Sequence, residues 1–264
     1  MRSLSFVIPA FNEQARLGPT LSAIIEYIDR EKLNAEVLVV DDGSRDRTAE
    51  LVEEFAQNHS IVRLIRNGEN RGKGYSVRHG VREASGDVII MTDADLAVPI
   101  EQSPKLLEAI DSGYDIAIGS RALNEQLQRV KPPLYRRICS AGFRSMVQML
   151  LGLDFKDTQC GFKGFTREAA KRIFALQKIE DWGFDPEILL IGRLLDYRIK
   201  EIPVETFHRE GSKINPVLDS IKMFMELLSI RRNVFAQIGH LRPGAVPTVM
   251  PVPQKATTNQ VEAA

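Results

Sequence analysis

Two aspartates that could hold a metal ion, Asp93 and Asp95, directly follow the apolar run Val88-Ile89-Ile90-Met91. Carboxylate oxygens suit Mg²⁺ and Mn²⁺, which usually bind through one or two carboxylates together with substrate phosphates. An Asp-x-Asp pair alone is a weak signal, because most such pairs are solvated turn residues. The position at the end of an apolar strand favours a divalent-metal site, with Mg²⁺ or Mn²⁺ as the predicted cofactor.

Polar clusters follow three of the predicted strands. Pro9-Ala10-Phe11-Asn12-Glu13 follows the first strand, Asp41-Asp42-Gly43-Ser44 the second and Asp93-Ala94-Asp95 the fourth. In open α/β sheets, ligands bind outside the carboxyl ends of the strands. We therefore expect the three clusters to converge on one crevice.

Two of the polar segments also have purely structural interpretations. Asp41-Asp42-Gly43-Ser44 is typical of a turn, with Ser44 predicted to cap the next helix. Asn70-Arg71-Gly72-Lys73-Gly74 is either a flexible turn that opens a helix or a loop whose glycines let the backbone approach phosphate or ribose, with Lys73 adding charge. The residues alone leave these alternatives open.

The order of elements predicts an α/β fold. Continuous apolar strands alternate with helical patterns, which indicates a mostly parallel, Rossmann-like central sheet covered by helices on both faces. The predicted strands are 4–9, 36–40, 61–65, 87–91, 115–119, 162–165 and 199–204. The predicted helices are 17–32, 47–58, 74–84, 134–151, 167–176, 185–197 and 217–230. We predict one domain over 1–240, with halves 1–98 and 99–240, and a disordered tail over 241–264.

Composition excludes several classes of protein. Lys plus Arg and Asp plus Glu both number 35, so no global charge points to nucleic acid. No apolar segment is long enough to span a bilayer. Cys139 and Cys160 lack metal-site spacing and are predicted to be partly buried thiols of a reducing compartment. The expected location is the cytoplasm, either free or peripheral on the cytoplasmic face of a membrane.

The predicted helix over 134–151 mixes arginines with large apolar residues. An interfacial membrane helix has this pattern, and so does a helix that packs against a core. Both interpretations stay open.

Other nucleotide-related classes are less consistent with the motifs. A dinucleotide oxidoreductase requires a Gly-x-Gly-x-x-Gly motif after the first strand, and this chain has none there. A hydrolase with an aspartyl nucleophile normally carries its Asp pair after the first strand, whereas here the pair follows the fourth. A nucleotide-binding module without turnover is the remaining alternative to an enzyme.

Motifs in both halves resemble those of a known family. The order of four motifs resembles family 2 glycosyltransferases: Phe6-Val7-Ile8-Pro9-Ala10-Phe11-Asn12-Glu13, Val39-Val40-Asp41-Asp42-Gly43-Ser44, Asn70-Arg71-Gly72-Lys73-Gly74 and Thr92-Asp93-Ala94-Asp95. Three later motifs look like the polyprenyl-phosphate branch, and most like its dolichyl-phosphate β-glucosyltransferases: Asp157-Thr158-Gln159-Cys160-Gly161-Phe162-Lys163, Trp182-Gly183-Phe184-Asp185-Pro186-Glu187 and Gly211-Ser212-Lys213. The resemblance covers about 4–233 and implies the GT-A fold.

The resemblance assigns the first half, 1–98, to the nucleotide sugar. It implies that Asp95 is the principal metal ligand, with Asp93 beside it near the sugar and ribose. Asp41 would accept a hydrogen bond from the base. The other residues implied in nucleotide-sugar binding are Pro9, Phe11 (where a Tyr is common), Glu13, Lys73 and Ala94.

The second half, 99–240, would bind the acceptor. The resemblance implies a phosphate-contacting Arg121, a Gln159 that approaches the sugar, and an acidic motif, Asp185 and Glu187, that supplies a base in many inverting members. A phosphate acceptor also requires positive charge. The candidates are Arg136, Arg137, Lys163, Arg209 and Lys213.

The implied reaction is inverting transfer of a hexose, glucose from UDP-glucose, to a polyprenyl phosphate, with a membrane surface as a further partner. A phosphate acceptor is already anionic, so Asp185 would orient a hydroxyl or a cation instead of removing a proton. A glycolipid or soluble sugar acceptor, with Asp185 as a true base, stays open. So does a mannosyltransferase that uses GDP-mannose.

Overall fold

The computed structural model describes residues 2–123, 134–207 and 216–238, and only the helical backbone at 134–138 and 216–223. The strands are β1 (Leu4–Ala10), β2 (Ala35–Asp41), β3 (Val62–Arg66), β4 (Val88–Met91), β5 (Ile116–Ser120), β6 (Lys163–Thr166) and β7 (Ile199–Pro203). The helices are α1 (Leu17–Arg30), α2 (Thr48–Asn58), α3 (Lys73–Glu83), α4 (Ser103–Asp111), α5 (Leu134–Leu151), α6 (Arg167–Leu176), α7 (Phe184–Leu194) and α8 (Pro216–Ile238).

The seven strands form one sheet in the order β3-β2-β1-β4-β6-β5-β7. Every neighbouring pair is parallel except those made by β6, which runs antiparallel to both β4 and β5. The predicted mostly parallel sheet is confirmed. Because β6 is reversed, its first residue, Lys163, lies at the edge where β1, β2, β4 and β5 end.

Apolar side chains leave the sheet on both faces, as strand geometry requires. On β1, Phe6 and Ile8 pack into one core cluster with α1 and α4, whereas Val7 packs into the other with α3, α6 and α7. Phe165 and Phe174 meet edge to face in the second cluster, with ring centroids 5.6 Å apart. Helices on both faces therefore hold the strand ends in fixed positions.

Several helix boundaries differ from the predictions, and α4 with its preceding 3₁₀ turn (Ile100–Gln102) was missed. α8 continues past residue 230 to Ile238, because Val234 and Ile238 extend its buried face. α7 stops at Leu194, and Asp196 then adopts a left-handed conformation with φ of 62°.

The predicted Ser44 cap was wrong. α2 begins at Thr48, and the Ser44 hydroxyl instead accepts a hydrogen bond from the Asn12 N–H. Loop-to-loop contacts of this kind leave no periodic signal in a sequence.

One face of the helix over 134–151 packs against the core in its described part. Val147 and Leu151 are buried, and Phe143 and Met146 are partly buried against the second core cluster. Met149 is the large apolar exception, at 72% exposed. Among the described helices, none is both long and apolar enough to cross a membrane. The tail predicted over 241–264 lies outside the described residues.

The two thiols differ in exposure, whereas the sequence analysis predicted that both are partly buried. Cys139 is exposed on α5, whereas Cys160 is buried. Burial raises the pKa of the Cys160 thiol to about 11. Since the thiolate is the reactive form, Cys160 is protected both by burial and by protonation at neutral pH.

We therefore expect one fast-reacting thiol per native chain when a disulfide reagent is added at pH 8. The second thiol should react only on unfolding, and Cys139→Ser should abolish the fast phase. Cys160→Ser should leave the fast phase intact. Equal rates for both thiols in the native protein would contradict the described burial.

Candidate active site

The loops that follow β1 and β2 are fastened to each other by hydrogen bonds. The Asn12 N–H donates to the Ser44 hydroxyl at 2.9 Å, and the Asn12 side-chain oxygen accepts from the Arg45 N–H at 2.8 Å. The Glu13 N–H donates to Thr48 Oγ1 at 2.8 Å. Asn12 adopts φ of 55°, a conformation that Asn tolerates better than most residues. Hydrogen bonds between backbone N–H groups and side chains therefore hold these two predicted clusters together.

Asp42 organises the loop before α3. Its carboxylate accepts hydrogen bonds from the backbone N–H groups of Arg71 and Gly72 at 2.9 and 2.8 Å. The side-chain amides of Asn67 and Asn70 donate to the same carboxylate. One buried carboxylate thus holds the residues that carry Lys73 into the site.

Lys73 makes the central contact between the loop and the Asp-x-Asp motif. Its ammonium donates to Asp93 Oδ1 at 2.6 Å. Burial acts to lower the pKa of Lys73, but the carboxylates of Asp93 and Asp185 outweigh it and hold that pKa above its ordinary value. Burial likewise acts to raise the pKa of Asp93, and Lys73 outweighs it, so the pKa of Asp93 is lowered. The pair is therefore ionised at neutral pH.

Gly161 supports Asp93 from the other side. A methyl group built onto Gly161 would overlap the Asp93 carboxylate. The carboxylate therefore lies directly on the backbone of the loop between Asp157 and Lys163. A glycine is required at this position because any side chain would displace Asp93.

Asp95 is the less compensated carboxylate of the motif. One of its oxygens accepts from the Ala97 N–H at 3.0 Å, and the other lies 3.9 Å from an Arg16 guanidinium nitrogen. Arg16 itself is paired to Glu13 through two hydrogen bonds of 2.6 Å. Among the described residues, no group of three His, Cys, Asp or Glu side chains could hold a metal ion. A divalent ion completed by substrate phosphates needs only one or two carboxylates, and Asp95 fits that requirement.

Arg121 follows β5 and is paired with Asp157, which the sequence analysis did not assign. The guanidinium contacts both carboxylate oxygens, at 2.6 and 2.9 Å, and the Arg121 N–H donates to the same group. The Arg121 side chain as a whole is 47% exposed. The Gln159 N–H donates to the same Asp157 carboxylate, so the backbone of Gln159 lies close to the Arg121–Asp157 pair. A bidentate pair fixes the orientation of an arginine that still faces solvent.

Lys163 does not have the role expected of an acceptor-phosphate ligand. Its side chain is fully buried, and its ammonium donates to Asp185 Oδ1 at 2.5 Å and to the Cys160 carbonyl at 2.6 Å. The structure therefore does not support a phosphate-binding role for Lys163, because its ammonium is engaged inside the protein by Asp185 and the Cys160 carbonyl. Removing one partner of a buried ion pair typically costs about 3–5 kcal/mol.

Asp185 lies in the first turn of α7 and is nearly inaccessible to solvent. Burial raises the pKa of Asp185, and the ammonium groups of Lys163 and Lys73 offset only part of that effect. The structure thus brings Asp185 into one electrostatic cluster with Asp93 and Lys73.

Glu187 lies outside that cluster, so the structure does not support its predicted catalytic role. Its two carboxylate oxygens accept from the backbone N–H groups of Lys178 and Ile179, at 3.0 and 2.8 Å. The side chain is fully buried, and burial raises the pKa of this carboxyl group. Glu187 therefore anchors the loop over 177–183 instead of facing a substrate.

The same loop is tied to α3. The Glu180 carboxylate accepts from Arg71 at 3.0 Å and from Arg78 at 2.9 Å, and its carbonyl accepts from the Tyr75 N–H. A methyl group on Gly72, whose φ is 104°, would overlap the Glu180 carbonyl. Gly72 is thus required by contact with the protein's own backbone, which favours the structural interpretation of this glycine.

The remaining predicted nucleotide residues lie around the ends of β1 and β2 and beside the Asp-x-Asp motif. Phe11 is 42% exposed, and Asp41 is buried with one oxygen accepting from the Ser44 N–H. Pro9 is the penultimate residue of β1. Ala94 is buried, and its carbonyl accepts from the Thr20 hydroxyl.

Four predicted acceptor-phosphate residues cannot be placed. The side chains of Arg136 and Arg137, and all of Arg209 and Lys213, lie outside the described residues.

The close contact between Gly161 and the Asp93 carboxylate predicts that a larger residue at position 161 lowers thermal stability. Gly161→Ala should force Asp93 away from Lys73, and overpacking of this kind costs about 1–3 kcal/mol. We expect the thermal midpoint to fall by at least about 2 °C. Gly142→Ala is the matched control, because a methyl group there meets nothing within 4 Å. An unchanged midpoint for Gly161→Ala would contradict the described packing.

Comparison with known proteins shows similarity to one family along most of the chain. The model of the family described as Glycosyl transferase family 2 matches residues 5–174. A dolichyl-phosphate beta-glucosyltransferase of Trichomonas vaginalis is 38% identical over 237 residues, which cover 86% of this chain and 72% of the relative. The Homo sapiens protein of the same name is 36% identical over 243 residues, which cover 87% and 75%.

Solved structures share the fold. Glucosyl-3-phosphoglycerate synthase from Mycobacterium tuberculosis, in complex with Mn²⁺, UDP and phosphoglyceric acid, aligns with a TM-score of 0.62 at 20% identity, covering 90% of this chain and 79% of that one. Mannosyl-3-phosphoglycerate synthase from Rubrobacter xylanophilus aligns with a TM-score of 0.66 at 17% identity, covering 92% and 77%. The chain therefore belongs to glycosyltransferase family 2 and is a glycosyltransferase with the GT-A fold.

Proposed function

We propose that this enzyme transfers glucose from UDP-glucose to a polyprenyl phosphate, with inversion at the anomeric carbon. The observation that carries the proposal is the meeting of Asp95, the Lys73–Asp93 pair and the Arg121–Asp157 pair at one edge of the sheet. The names of relatives at 34–38% identity support the acceptor and the sugar.

The donor would bind over the ends of β1 and β2. The exposed ring of Phe11 offers a stacking surface for the base, and Asp41 offers a carboxylate oxygen as acceptor. Lys73 and Asp93 would face the sugar and ribose side. The hydrogen bonds between the two loops support this arrangement, because they hold the pocket in place before the donor binds.

Asp95 would hold the divalent ion, Mg²⁺ or Mn²⁺. When bound, such an ion neutralises charge that develops on a departing diphosphate. Structural relatives that contain Mn²⁺ or Mg²⁺ with UDP support the use of a metal by this fold.

The acceptor phosphate would supply the attacking oxygen. A bond forms from that oxygen to the anomeric carbon, the bond from this carbon to the diphosphate breaks, and UDP leaves. The acceptor is already anionic, so no base has to remove a proton. Asp185 is nearly inaccessible to solvent and accepts a hydrogen bond from the Lys163 ammonium. These contacts support a role in orienting a cation instead of removing a proton.

A lipid acceptor would bring the enzyme to the cytoplasmic face of a membrane. α8 exposes apolar side chains along its described part, at Phe224, Met225, Leu228 and Phe235. Arg231 and Arg232 line a groove with Leu228 and Phe235. Apolar side chains flanked by arginines support peripheral binding to an anionic lipid surface.

The substrate assignment is tested by offering purified enzyme UDP-glucose and Mg²⁺ with a polyprenyl phosphate in detergent. We expect metal-dependent release of UDP and a β-linked glucosyl phosphate product, identified by mass spectrometry and NMR. Parallel reactions contain GDP-mannose as donor, or a free sugar or glycolipid as acceptor. Turnover with a free sugar, and none with the polyprenyl phosphate, would overturn the proposal.

The metal assignment is tested by Asp95→Asn. Loss of the carboxylate charge should lower the transfer rate by about 100-fold or more, as for other groups that stabilise developing charge. Thermal stabilisation by UDP plus Mn²⁺ should disappear, whereas the unliganded midpoint should change little. Asp29→Asn, an exposed change on α1, is the control. Full metal-dependent transfer by Asp95→Asn would remove Asp95 from the metal site.

A further inference from the structure

Trp182 is the only tryptophan of the chain, and 59% of it is exposed. The loop that carries it is held firmly, since Glu187 binds two of its N–H groups and Glu180 binds Arg71 and Arg78. These contacts hold the loop in a position in which the Trp182 side chain is exposed to solvent. A large aromatic ring presented to solvent on a fixed loop beside an active site indicates contact with a ligand.

Trp182 lies between Lys73 and the turn of α8 that carries exposed apolar side chains. On one side, the Lys73 ammonium is 5.0 Å from the centroid of its ring. On the other side, a methyl group on the adjacent Gly183 would lie 2.5 Å from the Glu226 carboxylate, so the loop meets α8 here. Phe224 and Met225, which precede Glu226, are 37% and 57% exposed.

We propose that Trp182 packs against the first apolar units of the acceptor's prenyl chain, where the chain leaves its phosphate. The inference rests on the proposed function. An amphipathic acceptor with its phosphate near Arg121 and Lys73 changes from charged to apolar beside Trp182. UDP-glucose has no apolar segment that would match the exposed side chains of α8.

Intrinsic fluorescence reports on this contact directly, because every tryptophan signal comes from Trp182. Farnesyl phosphate should shift the emission to shorter wavelength as the ring loses water. Inorganic phosphate and UDP-glucose should not. A shift with UDP-glucose alone, or none with farnesyl phosphate, would overturn the inference.

Kinetics separate a substrate contact from a structural role. Trp182→Ala should raise KM for farnesyl phosphate about tenfold, the loss expected for an apolar contact of this size, while KM for UDP-glucose stays unchanged. Trp182→Phe should recover most of the loss. Tyr114→Ala is the matched control, because it removes a ring stacked on Arg198 and Lys200 at the opposite edge of the sheet.

The outcomes distinguish this inference from the proposed function. If the wild-type enzyme transfers glucose to farnesyl phosphate and Trp182→Ala has unchanged KM values, the inference alone fails. If KM for UDP-glucose rises instead, Trp182 faces the donor and the inference is wrong. A wild-type enzyme that transfers to no prenyl phosphate overturns the proposed function, and this inference with it.

Discussion

Charge compensation at the carboxyl edge of the sheet is the constraint on which the site depends. Asp93, Asp157 and Asp185 are each paired with a cation from another segment of the chain: Lys73, Arg121 and Lys163. Carboxylates withdrawn from water without such partners would lose their charge or destabilise the fold. The pairs therefore fix the positions of loops that are distant in sequence.

This arrangement gives the two aspartates of the Asp-x-Asp motif different roles. Asp93 is engaged by Lys73 at 2.6 Å, whereas the nearest cation to Asp95 among the described residues is Arg16, at 3.9 Å. Asp95 is thus the carboxylate that can accept a further cation. A divalent ion that arrives with the diphosphate compensates the negative charge of the diphosphate. The ion pairs of Asp93, Asp157 and Asp185 therefore need not be broken.

The sequence predicted the strand ends well, because apolar runs followed by polar clusters are local signals. It did not predict that Lys163 is buried, since its partners, Asp185 and the Cys160 carbonyl, meet its ammonium only in the folded chain. The Ser44 cap was wrong, and the structure does not support the catalytic role of Glu187, for a related reason: the partners of both side chains are backbone groups brought close only by the fold. Asp157 and Trp182 stood in motifs that resemble the family, but only the structure shows what they contact.

Manganese in crystals grown with UDP-glucose tests the central claim most directly, because the anomalous scattering of Mn²⁺ distinguishes the ion from water and from lighter ions. The account predicts one strong peak within coordination distance of the Asp95 carboxylate, with the Lys73–Asp93 pair still formed. A peak elsewhere, or none beside Asp95, would contradict it.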